Sequence, residues 1–231
     1  NIQNLVGTAF ADTLTGDNSA NVITGGDGND VISAGGGADT LYGGAGNDNI
    51  TDDLNGAARI YAGDGDDTVT MTSDDNQLDL IDGGTGTDTL VWNYAGSLRV
   101  DVNMQGGTVQ FSGPVSGTYA NFTNFENVTA AGSNSLYVYA DNNNNILTGG
   151  SGTSDYVDYR YAVGGVNVNL ATGAVTGGSG NDTLSGFEHI YAGSQWDDVL
   201  VGNAADNWIR GYYGNDTIDG GGGTDTWYID W

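Results

Sequence analysis

Aspartates recur every nine residues in two parts of the chain, and a large apolar residue follows each aspartate by two positions. In GGDGNDVISAGGGADTLYGGAGNDNI, residues 25–50, Asp30, Asp39 and Asp48 keep this spacing. Carboxylates and the carbonyls of glycine-rich turns are the hard oxygen ligands that calcium prefers. Because carboxylates stacked about 5 Å apart repel one another, such columns would need cations between them. The pattern therefore points to repeated divalent-cation sites.

The composition narrows the class of protein. Of 231 residues, 30 are Asp or Glu and four are Lys or Arg, which gives a formal net charge of −26. This charge favours cations and excludes nucleic acid or an anionic membrane surface as partners. The 41 glycines disfavour helices, and the absence of cysteine excludes disulfides. No apolar run is long enough for direct membrane insertion.

The repeat can be written G-G-x-G-x-D-x-U-x, where U is a large apolar residue. Five units in exact phase start at residue 7, and four more start at residue 193. A degenerate step near residue 60 precedes two further units, and one isolated unit occurs at 177–185. The sixth positions of all these units are Asp12, Asn21, Asp30, Asp39, Asp48, Asp67, Asp88, Asp182, Asp198, Asn207, Asp216 and Asp225.

Nine residues are half of one coil in the fold that this pattern predicts. The xUx triplets favour strands that bury U, and the glycine-rich segments reverse the chain. Two units would close one coil of a flattened solenoid, with two facing ladders of U residues. We therefore expect an all-β, right-handed parallel β-roll or β-helix solenoid with strand-rich insertions. The alternating stretches 98–109 and 165–175 resemble each other and predict two copies of such an insertion.

The same pattern predicts four segments along the chain. Residues 1–91 would form an N-terminal calcium-binding roll, and residues 193–231 would form a C-terminal one. Residues 92–148 would be a strand-rich spacer, and residues 149–192 a second spacer copy that contains the isolated unit.

The segments GGDGNDVIS, GGAGNDNIT, GGSGNDTLS and YGNDTIDGGGGTDTWYI resemble the calcium-binding repeats of the repeats-in-toxin (RTX) β-roll family. The resemblance implies that each calcium ion lies between turns eighteen residues apart and takes two carbonyls and a carboxylate from each turn. Asp30 and Asp48 would then share an ion with the carbonyls of Gly26, Gly28, Gly43 and Ala45. Asp12 and Asp30 would use Thr8, Phe10, Gly25 and Asp27, and Asp198 and Asp216 would use Ser194, Trp196, Gly211 and Tyr213. The predicted metal-binding set consists of these residues, the sixth positions above, and Gly44, Gly46, Asp64 and Gly220.

Some positions depart from the family pattern. Asn21 and Asn207 replace the carboxylate, which predicts weaker sites beside Asp39 and Asp225. Asp48 and Asp67 are nineteen residues apart, so their site must absorb one extra residue. The position eighteen after Asp39 is Ala57, where the column would be broken or completed by Asp52 or Asp53. Asp182 and Asp198 are sixteen apart, which leaves their register open, and a solvated acidic loop is the alternative interpretation of the isolated unit.

The expected function is that of a calcium-binding, non-enzymatic module of a secreted or cell-surface bacterial protein. No Walker, H-E-x-x-H or G-x-S-x-G motif occurs, and His189 has no evident catalytic partners. The resemblance implies type I secretion with a signal beyond residue 231, and folding on meeting millimolar calcium. Self-association into a surface layer, adhesin or filament is one candidate role. The alternative is a carbohydrate-binding or accessory module of a secreted polysaccharide-acting enzyme or toxin. Its basis is a group of aromatic residues in the last 36 positions, which would form either a platform for sugars or a cap on the solenoid: Trp196, Trp208, Tyr212, Tyr213, Trp227, Tyr228 and Trp231.

Overall fold

A computed structural model of the chain describes residues 3–53, 56–72, 77–93, 99–112, 117–132, 135–193 and 195–229. Regular structure in these ranges consists of 25 β-strands, which confirms the all-β prediction. The described ranges contain no helix that is long and apolar enough to cross a membrane. The chain divides into two compact units, residues 1–96 with 107–132, and residues 97–106 with 133–231. The four predicted segments stay a prediction.

The first unit is built from two mostly parallel sheets, and the chain alternates between them. In its first sheet the strand order is β1 (Asn4–Val6), β3 (Val22–Asp27), β5 (Thr40–Ala45), β7 (Arg59–Asp64), β9 (Asp79–Thr85), β13 (Gly117–Thr123) and β12 (Thr108–Ser112). In its second sheet the order is β2 (Thr13–Thr15), β4 (Val31–Ser33), β6 (Asn49–Asp52), β8 (Thr68–Met71), β10 (Thr89–Trp92) and β14 (Asn127–Ala130). Of the pairs in this unit, β12 with β13 is antiparallel.

The second unit also has two sheets. Its first contains β11 (Arg99–Asn103), β15 (Leu136–Tyr139), β17 (Tyr156–Asp158), β21 (His189–Tyr191), β23 (Trp208–Tyr212) and β25 (Thr226–Ile229). Its second contains β16 (Ile146–Thr148), β20 (Thr183–Ser185), β19 (Ala174–Gly177), β18 (Val166–Asn169), β22 (Val199–Val201) and β24 (Thr217–Asp219). The strands predicted within 98–109 and 165–175 are present as β11, β12, β18 and β19.

The apolar residue at the eighth position of most repeats builds the core, whereas Trp227 in the last repeat is 52% exposed. In β4, Ile32 is fully buried between the exposed Val31 and the half-buried Ser33. Ile23 lies opposite Leu41, and Ile32 lies opposite Ile50, so residues eighteen apart stack in register. Each such side chain contributes about 2 kcal/mol on burial. The two predicted ladders of U residues are therefore confirmed.

In the first unit, the extra residues of the two coils between β5 and β9 enter on one side. Leu41 pairs with Ile60 and Ile60 pairs with Ile81, which are intervals of nineteen and twenty-one residues. The insertions lie between β6 and β7 and between β8 and β9, whereas the step from the first sheet to the second remains nine residues. The turns that carry Asp48, Asp67 and Asp88 therefore keep the repeat geometry.

Candidate metal centre

The sixth-position aspartates at the turns from the first to the second sheet of the first unit form a stack. We call Asp12, Asp30, Asp48, Asp67 and Asp88 the first carboxylate column. In each step, Oδ1 of one aspartate accepts the backbone N–H of the preceding one. The four N–O distances, in chain order, are 2.8, 2.8, 2.7 and 2.8 Å. One carboxylate oxygen of each of the last four residues is thus used to hold consecutive coils together.

The other carboxylate oxygen of these four residues accepts no hydrogen bond within the described ranges. Oδ2 of Asp30, Asp48, Asp67 and Asp88 is buried and receives no hydrogen bond from the described residues. The four residues are at most 2% exposed. An ionised carboxylate buried without a partner costs several kcal/mol, so a row of them is stable only if another charge compensates it.

Carbonyl oxygens converge on the same places. A Cβ added to Gly25 would overlap Oδ2 of Asp30 and lie 2.5 Å from the carbonyl oxygen of Gly43. A Cβ added to Gly43 would overlap both Oδ2 of Asp48 and the carbonyl oxygen of Ala62. Glycine at the first position of the turn therefore leaves open a cradle lined by a carboxylate oxygen and the next turn's carbonyl. An oxygen-lined, negatively charged cradle suits calcium.

The second-position glycines bring the turns still closer. Gly26 and Gly44 have φ values of 122° and 124°, and a Cβ on Gly44 would overlap the carbonyl oxygen of Gly26. At the fourth positions, the N–H of Gly28 donates to the carbonyl of Ala45, and the N–H of Gly46 donates to the carbonyl of Asp64, both at 2.7 Å. Each carbonyl keeps a second lone pair for another partner.

Two predicted aspartates contribute no side chain to the column. Asp27 and Asp64 occupy third positions, and both are exposed. Oδ1 of Asp64 accepts the hydroxyl of Thr85 at 2.9 Å, outside the stack. The backbone of each residue also bonds a neighbouring turn: the N–H of Asp27 donates to the carbonyl of Thr8, and the carbonyl of Asp64 accepts the N–H of Gly46.

Burial sets the electrostatics of the columns. The pKa of Asp48, Asp67 and Asp88 is raised from 3.8 to about 6, mainly by burial and to a smaller extent by neighbouring carboxylates. The accepted backbone N–H acts in the opposite direction. Asp39, on the other edge of the coils, has a pKa of about 6 for the same main reason. The ionised form of each group is thus disfavoured unless positive charge lies nearby.

The second column begins with Asn21 and Asp39, and Oδ1 of Asp39 accepts the N–H of Asn21 at 2.8 Å. The next position is Ala58 rather than Ala57, because Thr40 pairs with Arg59. Oδ1 of Asp79 then accepts the N–H of Ala58 at 2.8 Å. Asp79 was missed in the sequence because no glycine turn surrounds it. Asp52 is buried in β6 on the second sheet.

The C-terminal repeats form the same bonds. Oδ1 of Asp216 accepts the N–H of Asp198, and Oδ1 of Asp225 accepts that of Asn207, both at 3.0 Å. The side chain of Asn207 also donates to the carbonyl of Glu188 at 2.7 Å. The first-position glycines Gly211 and Gly220 each lie against Oδ2 of the aspartate of their own turn, Asp216 and Asp225. Ser194 lies outside the described residues.

The isolated unit has a different neighbour from the one that spacing suggests. Oδ1 of Asp182 accepts the N–H of Asn145 at 2.9 Å, whereas that of Asp198 accepts the N–H of Val166 at 2.8 Å. Strands β19 and β18 lie between β20 and β22, so Asp182 and Asp198 are not on consecutive strands. Asp155, which sequence reasoning missed, accepts the N–H of Leu136 at 2.6 Å. Its turn, GGSGTSD, has one residue more than the consensus, and this motif was the available signal.

Neither a metal site made of side chains alone nor a catalytic site is evident among the described residues. In the described ranges, no three His, Cys, Asp or Glu side chains lie close enough to hold a metal by themselves, so backbone carbonyls must supply most ligands. His189 is buried, and its Nδ1 accepts the backbone N–H of Trp208 at 3.1 Å. In the neutral ring the proton is then on Nε2, 3.3 Å from Oγ of Ser154. This tautomer is wrong for a base that activates Ser154.

The late aromatic residues are only partly covered. Tyr212 has a left-handed φ of 63°, and the guanidinium of Arg210 lies 3.9 Å from the centre of its ring. Tyr213 is 60% exposed and Trp227 is 52% exposed. A cleft of about 520 Å³ is lined by residues that include Tyr212, Trp227 and Tyr228. Trp231 lies outside the described residues.

Comparison with known proteins agrees with the turn geometry. The family model for the RTX calcium-binding nonapeptide repeat (4 copies) matches residues 3–32, 15–50, 55–78, 174–189 and 191–226, more than half of the chain. No curated protein matches the chain. The matched ranges include the turns of Asp12, Asp30, Asp48, Asp67 and Asp216, whose carboxylates stack between coils. The chain belongs to the RTX calcium-binding nonapeptide repeat family.

Proposed function

We propose that this chain is a calcium-dependent folding module of a secreted or cell-surface bacterial protein. The observation that supports it most is the row of buried Oδ2 atoms in the first carboxylate column, which have no hydrogen-bond donor. A divalent cation between successive turns would neutralise these groups in pairs. The family's calcium-binding repeats point to the same ion.

The residues that would hold the ions are those of consecutive turns. In the first column each ion would lie between neighbouring aspartates, with carbonyls of the intervening glycine turns. The C-terminal turns of Asp198 and Asp216 would form an equivalent site, and the asparagine-containing pairs would bind more weakly. Calcium accepts six to eight oxygens in irregular geometry, which suits a site made mostly of carbonyls.

Folding would be coupled to export. Before secretion, at low free calcium, a net charge of −26 and the cost of burying carboxylates keep the chain expanded. At extracellular, millimolar calcium, the free energy of binding becomes free energy of folding. Type I secretion and an extracellular location fit this behaviour, and no catalytic role is proposed.

Circular dichroism during a calcium titration tests the coupling. We expect little β signal in chelator and a cooperative gain of β structure as calcium rises, with no comparable effect of magnesium, which demands stricter octahedral geometry. A full β signal in chelator at neutral pH would refute folding that depends on the metal.

The biological role that we propose is structural, in a surface layer, adhesin or filament. The support for this role is that acidic repeats take up much of the chain, whereas the described residues offer little that resembles a catalytic cluster. Light scattering with and without calcium tests self-association, and a chain that stays monomeric at high calcium would contradict an assembly role.

Glycan binding is the second candidate. Its support is the open cleft beside Tyr212, Trp227 and Tyr228, because exposed aromatic rings can pack against sugars. A glycan array with Tyr212→Ala and Tyr213→Ala variants tests it. Binding that is absent, or that both changes leave intact, removes this candidate.

A further inference from the structure

The chain contains only two glutamates, Glu126 and Glu188, and both follow a phenylalanine. Neither occupies the sixth position of a G-G-x-G-x-D unit. Glu126, Asp88 and Asp155 also lie outside the stretches that the family model matches. All other acidic residues are aspartates, so the choice of the longer side chain at these two places calls for a physical reason.

Each glutamate takes the place of the next aspartate in a column. Oε2 of Glu126 accepts the N–H of Asp88 at 2.8 Å, and Oε2 of Glu188 accepts the N–H of Asp155 at 3.0 Å. In both places, the N–H groups of the glutamate and of the following residue donate to the carbonyl of that same aspartate, at 3.0–3.2 Å. The two units thus contain the same arrangement, built once in each.

The turns that carry the glutamates are shortened. Strand register places Asn124 level with Gly83 and Glu126 level with Asp88, so two residue steps replace five. Likewise, Gly186 is level with Gly149 and Glu188 is level with Asp155, so two residue steps replace six. The extra methylene of glutamate lets a carboxylate on a shorter turn reach the same N–H. Phe125 and Phe187, which are 6% and 2% exposed, fill the space that the missing residues leave.

Carbonyl oxygens are turned towards these pairs. Asn124 and Gly186 precede the phenylalanines and both have left-handed φ values, 57° and 71°. A Cβ added to Gly83 would overlap the carbonyl oxygen of Asn124 and lie 2.7 Å from Oδ2 of Asp88. A Cβ added to Gly149 would overlap the carbonyl oxygen of Gly186 and lie 3.1 Å from the Cβ of Asp155.

Each of the two places includes a buried aspartate with an unsatisfied carboxylate oxygen. Asp88 and Asp155 are 0% exposed, and Oδ2 of each has no hydrogen-bond donor within bonding geometry. Each of these aspartates is paired with a second carboxylate, so two negative charges meet in a place that also holds a backbone carbonyl. Oxygen ligands of this kind, completed by carbonyls and water, are those of a hard divalent cation.

We propose that Asp88 with Glu126, and Asp155 with Glu188, each bind a calcium ion in a site where a short Phe-Glu turn replaces the glycine turn. The proposal rests on the proposed calcium function, and of the four carboxylates that it uses only Asp88 belongs to a consensus repeat. It extends the calcium-binding surface into the region of each unit where the nonapeptide pattern stops.

Counting bound calcium by elemental analysis after dialysis against millimolar calcium tests this directly. Glu126→Gln and Glu188→Gln keep an oxygen for the N–H but remove the charge. We expect each variant to bind one ion fewer than the unchanged protein, and the double variant two fewer. Asp66→Asn is the matched control, because Asn29 and Asn47 occupy the same ladder of side-chain bonds, and its ion count should not change.

The outcomes separate the two proposals. If the unchanged protein binds no calcium, the proposed function fails and this inference fails with it. If it binds calcium and the glutamine variants bind the same number, only this inference is overturned. If a variant does not fold in calcium, anomalous difference density from crystals of the unchanged protein decides. Peaks at both pairs support the sites, and their absence overturns them.

Discussion

Asp48→Asn should change stability in opposite directions with and without calcium. The substitution keeps the volume and the oxygen that accepts the N–H of Asp30. In the metal-free protein, burial raises the pKa of Asp48 from 3.8 to about 6. Because one pH unit corresponds to about 1.4 kcal/mol, ionising this group at pH 7 costs on the order of 3 kcal/mol. The variant should raise the metal-free free energy of unfolding by up to about that amount.

With calcium the sign reverses, because Asp48 lies between two proposed sites and its charge is lost from both. When calcium is present at a hundred times the dissociation constant, a hundredfold weaker site forfeits about 2 kcal/mol of stabilisation. Two such sites together forfeit about 4–5 kcal/mol, which exceeds the gain of the metal-free protein. Urea unfolding followed by circular dichroism at neutral pH, in chelator and in millimolar calcium, measures both values. Trimethylamine N-oxide extends the measurement if the metal-free chain is unfolded in buffer.

Asp66→Asn is the control for the loss of one charge outside the column, and it should shift both values little. Equal destabilisation by Asp48→Asn in chelator and in calcium would contradict the proposed compensation of its charge by the ion. That result would mean that Asp48 acts only through its hydrogen bond.

Further outcomes concern pH, packing and the turns. In chelator, stability should rise as pH falls from 7 towards 4, because the folded-state pKa values of about 6 for Asp39 and Asp67 lie above the unfolded value of 3.8. In calcium, stability should instead decrease as the pH is lowered, because protons displace the ion. Thermal melts between pH 7 and pH 4 compare the two conditions. Ile50→Ala should cost about 2–5 kcal/mol in urea unfolding in calcium, since Ile50 is fully buried, and an unchanged value would contradict the ladder. Gly44→Ala should prevent or strongly weaken calcium-induced folding by circular dichroism, because its φ is 124° and a Cβ would overlap Gly26; normal folding would contradict the close stacking.

Much of the fold can be predicted from the period alone. A nine-residue interval with one apolar residue leaves one way to bury Ile23, Ile32 and Leu41 while strands stack, and their burial follows. The turn aspartates can also be predicted, because most of them follow a pair of glycines. Glycine is required at the first and second positions by the close approach of the next coil.

The registers of the irregular coils could not be predicted, because local spacing does not say which connection absorbs an insertion. Ala58 rather than Ala57 meets the second column for this reason. A hairpin between β20 and β22 likewise separates Asp182 from Asp198, and such pairing depends on tertiary contacts. Asp79 lacks the consensus turn, and Asp155 lies in a lengthened one, so each is recognised only once the strands are aligned.

The most direct test of the central claim is the anomalous difference density of calcium in crystals grown with the ion. We expect a peak between Asp30 and Asp48, beside their Oδ2 atoms and the carbonyls of the glycine turns. Ordered carboxylates with no peak between them would contradict it.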